Sequence, residues 1–253
     1  MTPDAYCIHS TFEPSGPSEF QTDRHYLLYA LKGTLRLEAQ GKRWTLPPAR
    51  AALIKSGCPI IITVLSKLTS ASVLFSPDFI PTPERALTVF DMTPLARELI
   101  AECRIWGADS DPLTPYARQI FATLAEVTRQ LSESPSRCVL PSPTSRELCK
   151  ALTLTEAQSH HSLTFKEVAQ DCGQSPRALS RRFAEEMGMT WSEALRRIRI
   201  IQAIEALAAS NTSITEIALS VGYSSLSGFN AAFREVMDMT PSQYRASFTI
   251  SDG

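Results

Sequence analysis

One segment occurs twice in this chain: residues 163–175 have the sequence LTFKEVAQDCGQS, and residues 213–224 have the sequence SITEIALSVGYS. A shift of 49 residues aligns four pairs of residues: Glu167 with Glu216, Val168 with Ile217, Ala169 with Ala218, and Gly173 with Gly222. Past the glycine the shift becomes 50, and it then aligns two further pairs: Leu179 with Phe229, and Phe183 with Phe233. The repeat indicates one structural unit that is present in two copies.

Each copy has the pattern of two short helices joined by a tight turn. Apolar residues recur at helical spacing on both sides of a glycine, which tolerates the positive φ that such a turn needs. Ser175 and Ser224 are candidate N-caps of the second helix, and Pro176 suits its first position. A single copy would also fit an ordinary helical hairpin. Two matching copies favour paired helix-turn-helix units, at about 163–187 and 212–237, which bind two neighbouring segments of DNA.

The region between the two copies predicts one long amphipathic helix. Within Trp191–Ala209, apolar residues recur at helical spacing from Leu195 to Leu207, and three arginines occupy other faces: Arg196, Arg197 and Arg199. This helix would join the two units and fix their separation.

The repeated region is similar to the AraC/XylS family of bacterial transcription regulators, over about residues 145–247. The most specific matches lie in Ile214–Arg245: Ala218, Val221, Gly222, Tyr223, Phe229, Phe233, Arg234, Met239, Thr240, Pro241, Ser242, Tyr244 and Arg245. The resemblance implies a DNA-binding domain at residues 144–247, with about seven helices. Both recognition helices would enter successive major grooves on one face of the duplex.

Two positions depart from the family pattern. Ala231 stands where the family usually has a basic residue, and Asp238 stands where it usually has glycine. The first unit retains Arg181 at the place equivalent to Ala231. We therefore expect the first unit to supply most base contacts, and the second to act more through phosphate and shape contacts.

Helical spacing places Arg177, Ser180 and Arg181 on the outward face of the first recognition helix. Arginine can bind the O6 and N7 atoms of guanine with two hydrogen bonds, and it can also bind phosphate, which gives affinity without sequence information. We expect base contacts from Arg177 and Arg181. For Arg182 we expect a phosphate-facing or solvated side chain.

The second recognition helix would present Ser225, Leu226, Ser227 and Asn230. Asn230 can pair with adenine N6 and N7, and Leu226 can contact a thymine methyl group. Plain solvent exposure is an equally open interpretation of these four residues. Arg234 is expected to contribute a structural or phosphate contact.

The first 80 residues have a different sequence pattern, in which short runs of strand-forming residues alternate with turn signals. Six strands are predicted: Tyr26–Ala30, Thr34–Glu38, Arg43–Leu46, Ala51–Ile54, Ile60–Leu65 and Ser72–Phe75. Such a series suggests a small barrel or jelly roll. The segment resembles the cupin-like domain of some AraC-type regulators through four groups of residues: His25–Ala30, Gly33, Trp44–Ala51 and Gly57–Pro59. In such regulators the barrel senses a small effector or supports dimerisation.

The histidine content predicts no metal site and no cofactor. The chain has four histidines, His9, His25, His160 and His161, and none forms the His-x-His pair of a metal-binding cupin. Four residues could instead line a barrel and contact an organic ligand: Tyr26, Tyr29, Arg36 and Trp44.

Residues 81–131 are predicted to be helical and to form the dimerisation surface of a homodimer, with packing onto the barrel as the alternative. Residues 132–143 are predicted to be a linker. The sequence therefore predicts an α+β chain of two domains, with an N-terminal cupin-like β-barrel, a helical dimerisation segment and a C-terminal all-α domain that carries two helix-turn-helix units.

Charge and cysteine usage limit the function classes. The formal net charge is −1, so positive charge for DNA would be local, on the first recognition helix and the linker helix. The six cysteines show no metal spacing, and no secretory signal or membrane-spanning run is present, so a cytoplasmic protein is expected.

Three functions remain open on the sequence alone. The leading interpretation is an effector-responsive transcription regulator that binds double-stranded DNA, and that also contacts RNA polymerase if it is an activator. A cupin-type metal enzyme with a helical appendage is the rival class. The third is a regulator whose barrel serves only for dimerisation.

Overall fold

The computed structural model describes residues 2–48, 50–110, 112–136 and 139–246. These residues form two compact units, which are described separately. The first unit contains the residues up to Ala39 together with those between Thr45 and Ser136. The second contains Gln40–Trp44 and the described residues from 139 to Arg245. Ala49 and residue 247, both named in the sequence analysis, lie outside the described residues.

Nine strands form between residues 5 and 91. They are β1 (Ala5–Phe12), β2 (Ser15–Phe20), β3 (His25–Lys32), β4 (Leu35–Ala39), β5 (Lys42–Leu46), β6 (Arg50–Ile54), β7 (Ile60–Val64), β8 (Leu68–Phe75) and β9 (Leu87–Asp91). The first sheet has the order β1-β8-β3-β6-β9, and its strand pairs are antiparallel. In the second sheet β4 lies between β5 and β7, and β2 pairs with β7.

The predicted strands are present, but between residues 5 and 91 the sequence missed three others. β1 and β2 precede the first predicted strand, and β9 lies inside residues 81–131, which were predicted to be helical throughout. That helical prediction is wrong for Leu87–Asp91, because pairing with β6 fixes these five residues as an edge strand. β4 shows the expected alternation, with Leu35, Leu37 and Ala39 buried and the two residues between them partly exposed.

Two helices cover one face of the first sheet. α1 (Pro94–Cys103) and α2 (Pro115–Ser132) each begin at proline, after threonine N-caps that accept hydrogen bonds from the first turn. Phe121 of α2 contacts Phe75 of β8 edge-on at 6.4 Å. Further buried residues complete this core: Leu27, Tyr29, Leu53, Val73, Phe90, Ile100 and Leu124. The helices therefore bury their apolar stripes within the first unit.

The second unit is helical. Its elements are the two-residue strand β10 (Leu140–Pro141), α3 (Arg146–Gln158), α4 (Phe165–Asp171), α5 (Pro176–Arg182), α6 (Trp191–Ala209), α7 (Ile214–Ser220), α8 (Leu226–Met237) and α9 (Pro241–Ala246). β10 pairs with Lys42 and Arg43 of β5, which belong to the same unit. The predicted linker, 132–143, thus includes the last residue of α2 and the strand β10. Its residues 137–138 lie outside the described residues. None of the described helices is long and apolar enough to cross a membrane.

Candidate nucleic-acid interface

The first helix-turn-helix unit consists of α4 and α5. Thr164 caps α4 in a reciprocal capping box, in which its hydroxyl accepts from the Glu167 amide and the Glu167 carboxylate accepts from the Thr164 amide. Gly173 adopts φ +67°, and Gln174 N donates to Ala169 O at 2.9 Å to close the turn. α5 then starts at Pro176 and continues into a π-helical turn, Phe183–Met187.

The second unit repeats this construction with α7 and α8. Ser213 and Glu216 form the capping box of α7. Gly222 adopts φ +92°, and Tyr223 N donates to Ala218 O at 2.9 Å, which is the bond equivalent to that from Gln174 to Ala169. The structure therefore confirms the repeat at the level of individual hydrogen bonds.

Aromatic packing holds each recognition helix against its unit. Phe183 is fully buried and meets Phe165 at a ring distance of 6.1 Å. In the second unit Phe233 is fully buried, with Phe229 and Tyr244 each at 5.7 Å. Because these rings fix the inward face of each helix, they also determine which side chains face solvent.

The outward face of α5 carries the predicted residues. Arg177, Ser180 and Arg181 are exposed. The Arg181 side chain is 73% exposed, and its nearest acid is Glu185 at 3.8 Å. Arg182 is half-buried, and the two acids nearest to it, at 3.8 Å, are Glu147 of α3 and Glu186. Arg181 thus has much more of its guanidinium available to a ligand than Arg182.

The outward face of α8 is less polar. Ser225 is the N-cap, and its hydroxyl accepts from the Gly228 amide at 3.2 Å. Leu226 and Ser227 are exposed beside it, and Asn230 is half-buried. Farther along the helix, Ala231 and Arg234 are exposed. The first turn of α8 therefore offers the Ser225 hydroxyl, which caps the helix, the Ser227 hydroxyl 3.3 Å from it, and the exposed Leu226 side chain.

The linker-helix arginines, predicted as positive charge for DNA, make bonds within the protein. Arg196 Nη1 donates to Glu235 Oε1 at 2.5 Å, and Arg197 Nη1 donates to Val139 O at 3.0 Å. These contacts tie α6 to α8 and to the residue before β10. Because these linker-helix arginines are bonded within the protein, the exposed arginines of α5 supply most of the positive charge that can reach DNA.

Arg199 has a role that the sequence alone did not specify. Its Nε donates to Ser159 O at 2.8 Å and its Nη2 to His161 O at 3.2 Å, while its guanidinium lies 5.6 Å from the centre of the Tyr223 ring. Burial lowers the pKa of Arg199. One side chain of α6 thus joins the end of α3 to the turn of the second unit, next to Gly222.

Two of the four candidate ligand residues point away from each other. Tyr26 and Tyr29 lie on opposite faces of β3, and Tyr29 packs in the helix-covered core. The Tyr26 hydroxyl contacts Ser72 Oγ at 3.2 Å, and burial raises its pKa to about 12. Trp44 is buried on β5, and Arg36 is half-buried on β4. His25 is buried, and its Nδ1 accepts from the Ser56 amide. Within the described residues, no group of three metal-ligating side chains is found.

The three capping boxes make the stability of the helical unit depend on pH. Hydrogen bonds from Thr164 and Ser213 lower the pKa of Glu167 and Glu216, and bonds from Thr190 lower that of Glu193 at the start of α6. A carboxylate with a lowered pKa contributes stability above its unfolded value, near 4.5, and that contribution is lost as the pH falls through the folded pKa.

We therefore expect the triple variant Glu167→Gln, Glu193→Gln and Glu216→Gln to lose less stability than the parent when the pH is lowered from about 7 to about 4. Glutamine keeps the capping bond without titrating, as Gln243 does for Thr240 in this chain. Urea unfolding followed by circular dichroism at both pH values measures the difference. Equal losses in the parent and the variant would contradict this role of the carboxylates.

Comparison with known proteins finds helix-turn-helix transcription regulators, in agreement with the two units described above. A family described as a helix-turn-helix domain matches residues 168–247. The HTH-type transcriptional regulator NimR of Escherichia coli (strain K12) is 24% identical over 97% of this chain and 88% of its own length. The probable transcription factor PqrA of Proteus vulgaris is 31% identical over 39% of this chain and 80% of its own length. Three further curated relatives are longer, and the chain spans 12% to 42% of their length.

One similar solved structure covers less than half of this chain. It is a transcriptional regulator from Chromobacterium violaceum, described as an AraC-type DNA-binding domain-containing protein. It is 30% identical, covers 42% of this chain and 95% of its own, and has a TM-score of 0.40.

Proposed function

Because the chain belongs to the AraC-type family of helix-turn-helix DNA-binding transcription regulators, we propose that its two units read two successive major grooves on one face of the duplex. The observation that carries this proposal is the repeated turn, with equivalent hydrogen bonds and capping boxes in both copies. α6 lies between the copies in the chain; through Arg196 it contacts α8 of the second copy, and through Arg199 it contacts the end of α3, the helix that precedes the first copy.

The two units have different tasks in this proposal. Arg177, Ser180 and Arg181 make the base contacts of the first unit, and Arg182 supports them from the phosphate side. The second unit contributes a smaller set of contacts: Ser225, Leu226, Ser227, Asn230 and Arg234. Its side-chain chemistry favours a thymine methyl group at Leu226 and an adenine at Asn230.

Regulation is assigned to the N-terminal part. Effector sensing belongs to residues 1–80, dimerisation to 81–131, the linker to 132–143 and DNA binding to 144–247. Because α1 and α2 bury their apolar stripes on the first sheet, the dimer would use exposed side chains, among which Leu95 and Tyr116 are the large hydrophobic ones on these helices. The protein works in the cytoplasm as a regulator and not as an enzyme, and as an activator it would also contact RNA polymerase.

Selection on genomic DNA tests this function. The purified protein is mixed with sheared genomic DNA from its source, and the best-retained fragment is footprinted across a salt series. We expect two protected patches whose centres lie about one helical turn, or about 10 base pairs, apart. Uniform retention of all fragments, lost at moderate salt, would contradict sequence-specific reading by the pair. Retention by one patch alone would contradict the contribution of the second unit.

A further inference from the structure

The N-terminal unit contains a cavity of about 470 Å³ that none of the four candidate ligand residues lines. It lies among β6, β9, the loop of residues 79–85 and α2. Leu53, Phe79 and Ile80 supply apolar walls, and Ala122 and Ala125 of α2 add only methyl groups. A concave, mainly apolar space of this size is typical of small-molecule sites.

One end of the cavity is formed by a closed ion-pair cluster on the last turns of α2. Arg129 Nε and Nη2 donate to the two carboxylate oxygens of Glu126 at 2.9 and 2.7 Å, and Nη1 donates to Glu133 at 2.7 Å. The hydrogen bond from Arg129 lowers the pKa of Glu126 further below neutral pH, and this carboxylate is charged there. Two carboxylates thus face one guanidinium, and a negative charge remains in excess.

The other charged lining residues leave that excess in place. Glu84 and Arg85 are adjacent and exposed in the loop, and their charges offset each other. An anionic ligand would meet an arginine that already donates three of its five N–H groups to glutamates, and it would be repelled by the excess negative charge. A cationic ligand would instead be attracted by the excess carboxylate at short range.

We propose that this cavity is the effector site and that its ligand is a small organic cation, with an apolar body against Phe79 and Ile80 and a positively charged nitrogen at the Glu126–Arg129–Glu133 cluster. This inference rests on the proposed function, because it names the effector class of an effector-responsive regulator. It also extends effector sensing beyond residues 1–80 into the segment assigned to dimerisation, because most of the cavity lining lies between Pro81 and Glu133. Glu133 directly follows α2, from which the chain continues to the second unit. A ligand held there stabilises the last turn of the helix before the linker.

Three probes with the same apolar body separate the charge requirement from simple hydrophobic binding. They are 4-phenylbutylammonium, 4-phenylbutanol and 4-phenylbutyrate, each titrated calorimetrically into the full-length protein. We expect the ammonium probe to bind at least about tenfold more tightly than the butyrate probe. Tighter binding of the butyrate, or no saturable binding of any probe, would overturn the proposal.

Two variants locate the site. Ala122→Phe fills the cavity from the exposed side of α2 and is expected to abolish binding, whereas Gln119→Phe places the same ring on α2 outside the cavity lining and is expected to retain it. Glu126→Gln with Glu133→Gln removes the negative excess and should weaken only the ammonium probe, by about tenfold or more. Unchanged binding in Ala122→Phe would place the probe elsewhere and overturn the assignment.

Footprinting of the same preparations keeps the two proposals apart. Saturable ammonium binding without a sequence-specific footprint would contradict the regulator function and leave the cavity assignment standing. A normal footprint without ammonium binding would overturn the cavity assignment and leave the function standing.

Discussion

Gly222→Ala is expected to lower the free energy of unfolding of the DNA-binding unit by about 2–4 kcal/mol and to remove the second footprint patch. Gly222 has φ +92°, and a Cβ there would lie 2.5 Å from Ser159 O and 2.9 Å from Arg199 Nη2. The backbone oxygen cannot move without the end of α3, so the turn must open. Opening it also separates the Tyr223 ring from Arg199. The stability loss is measured by urea unfolding followed by circular dichroism.

Gly173→Ala is the matched control. Gly173 occupies the equivalent turn of the first unit with φ +67°, but a Cβ there meets nothing within 4 Å among the described residues. The free energy of unfolding of Gly173→Ala should fall only by the conformational cost of a non-glycine residue in the left-handed region, about 1–2 kcal/mol. If the two variants lost the same stability, the close approach to Ser159 and Arg199 would have no energetic weight.

The double variant Arg177→Ala with Arg181→Ala is expected to lower affinity for the selected operator by about 100-fold or more, since each bidentate base contact is worth about 1–3 kcal/mol. Affinity for unrelated DNA should fall far less, because it depends on total charge rather than on base contacts. Fluorescence anisotropy with operator and scrambled duplexes, at several salt concentrations, measures both quantities.

Two single variants control for charge. Arg104→Ala removes one positive charge from an exposed position in the N-terminal unit and should change neither affinity. Arg182→Ala removes a half-buried arginine that lies near Glu147 and Glu186, and it should affect both duplexes alike. Equal losses on operator and scrambled DNA for the double variant would show that Arg177 and Arg181 contact only phosphate.

The helix-turn-helix units could be predicted because their determinants are local. The first helix of each unit starts at a serine or threonine with a glutamate three residues later, and each turn contains a glycine. The second helices start after a serine alone, and the N-cap of α8 is Ser225, one residue past the predicted Ser224. The strands were harder. β2, with the sequence SGPSEF, is exposed along its whole length and shows no alternation, so only its pairing with β7 makes it a strand. β9 has only five residues, and its pairing with β6 makes it a strand.

For the candidate interface too, the features that depend on local sequence could be predicted and those that depend on distant residues could not. Helical spacing alone placed Arg177 and Arg181 outward, and their exposure in the structure agrees with that placement. The role of Arg199 depends on Ser159 and Gly222, which are far from it in sequence, and no periodicity reports such a contact. The cavity was missed for the same reason, because β6, a loop and α2 form it together.

The pairing of β1 with β8 has a consequence for how the chain folds. Ala5 pairs with Phe75 and Phe12 with Leu68, so the first sheet closes only after long segments have come together. Apart from the pairing of β5 with β10, the helical unit consists of helices that pack on one another. Helical proteins fold in microseconds to milliseconds, whereas proteins dominated by long-range strand pairing take up to seconds. The ribosome makes the slower unit first. Synthesis order therefore gives the sheet time to close before the fast helical unit emerges, which limits the lifetime of its unpaired edges.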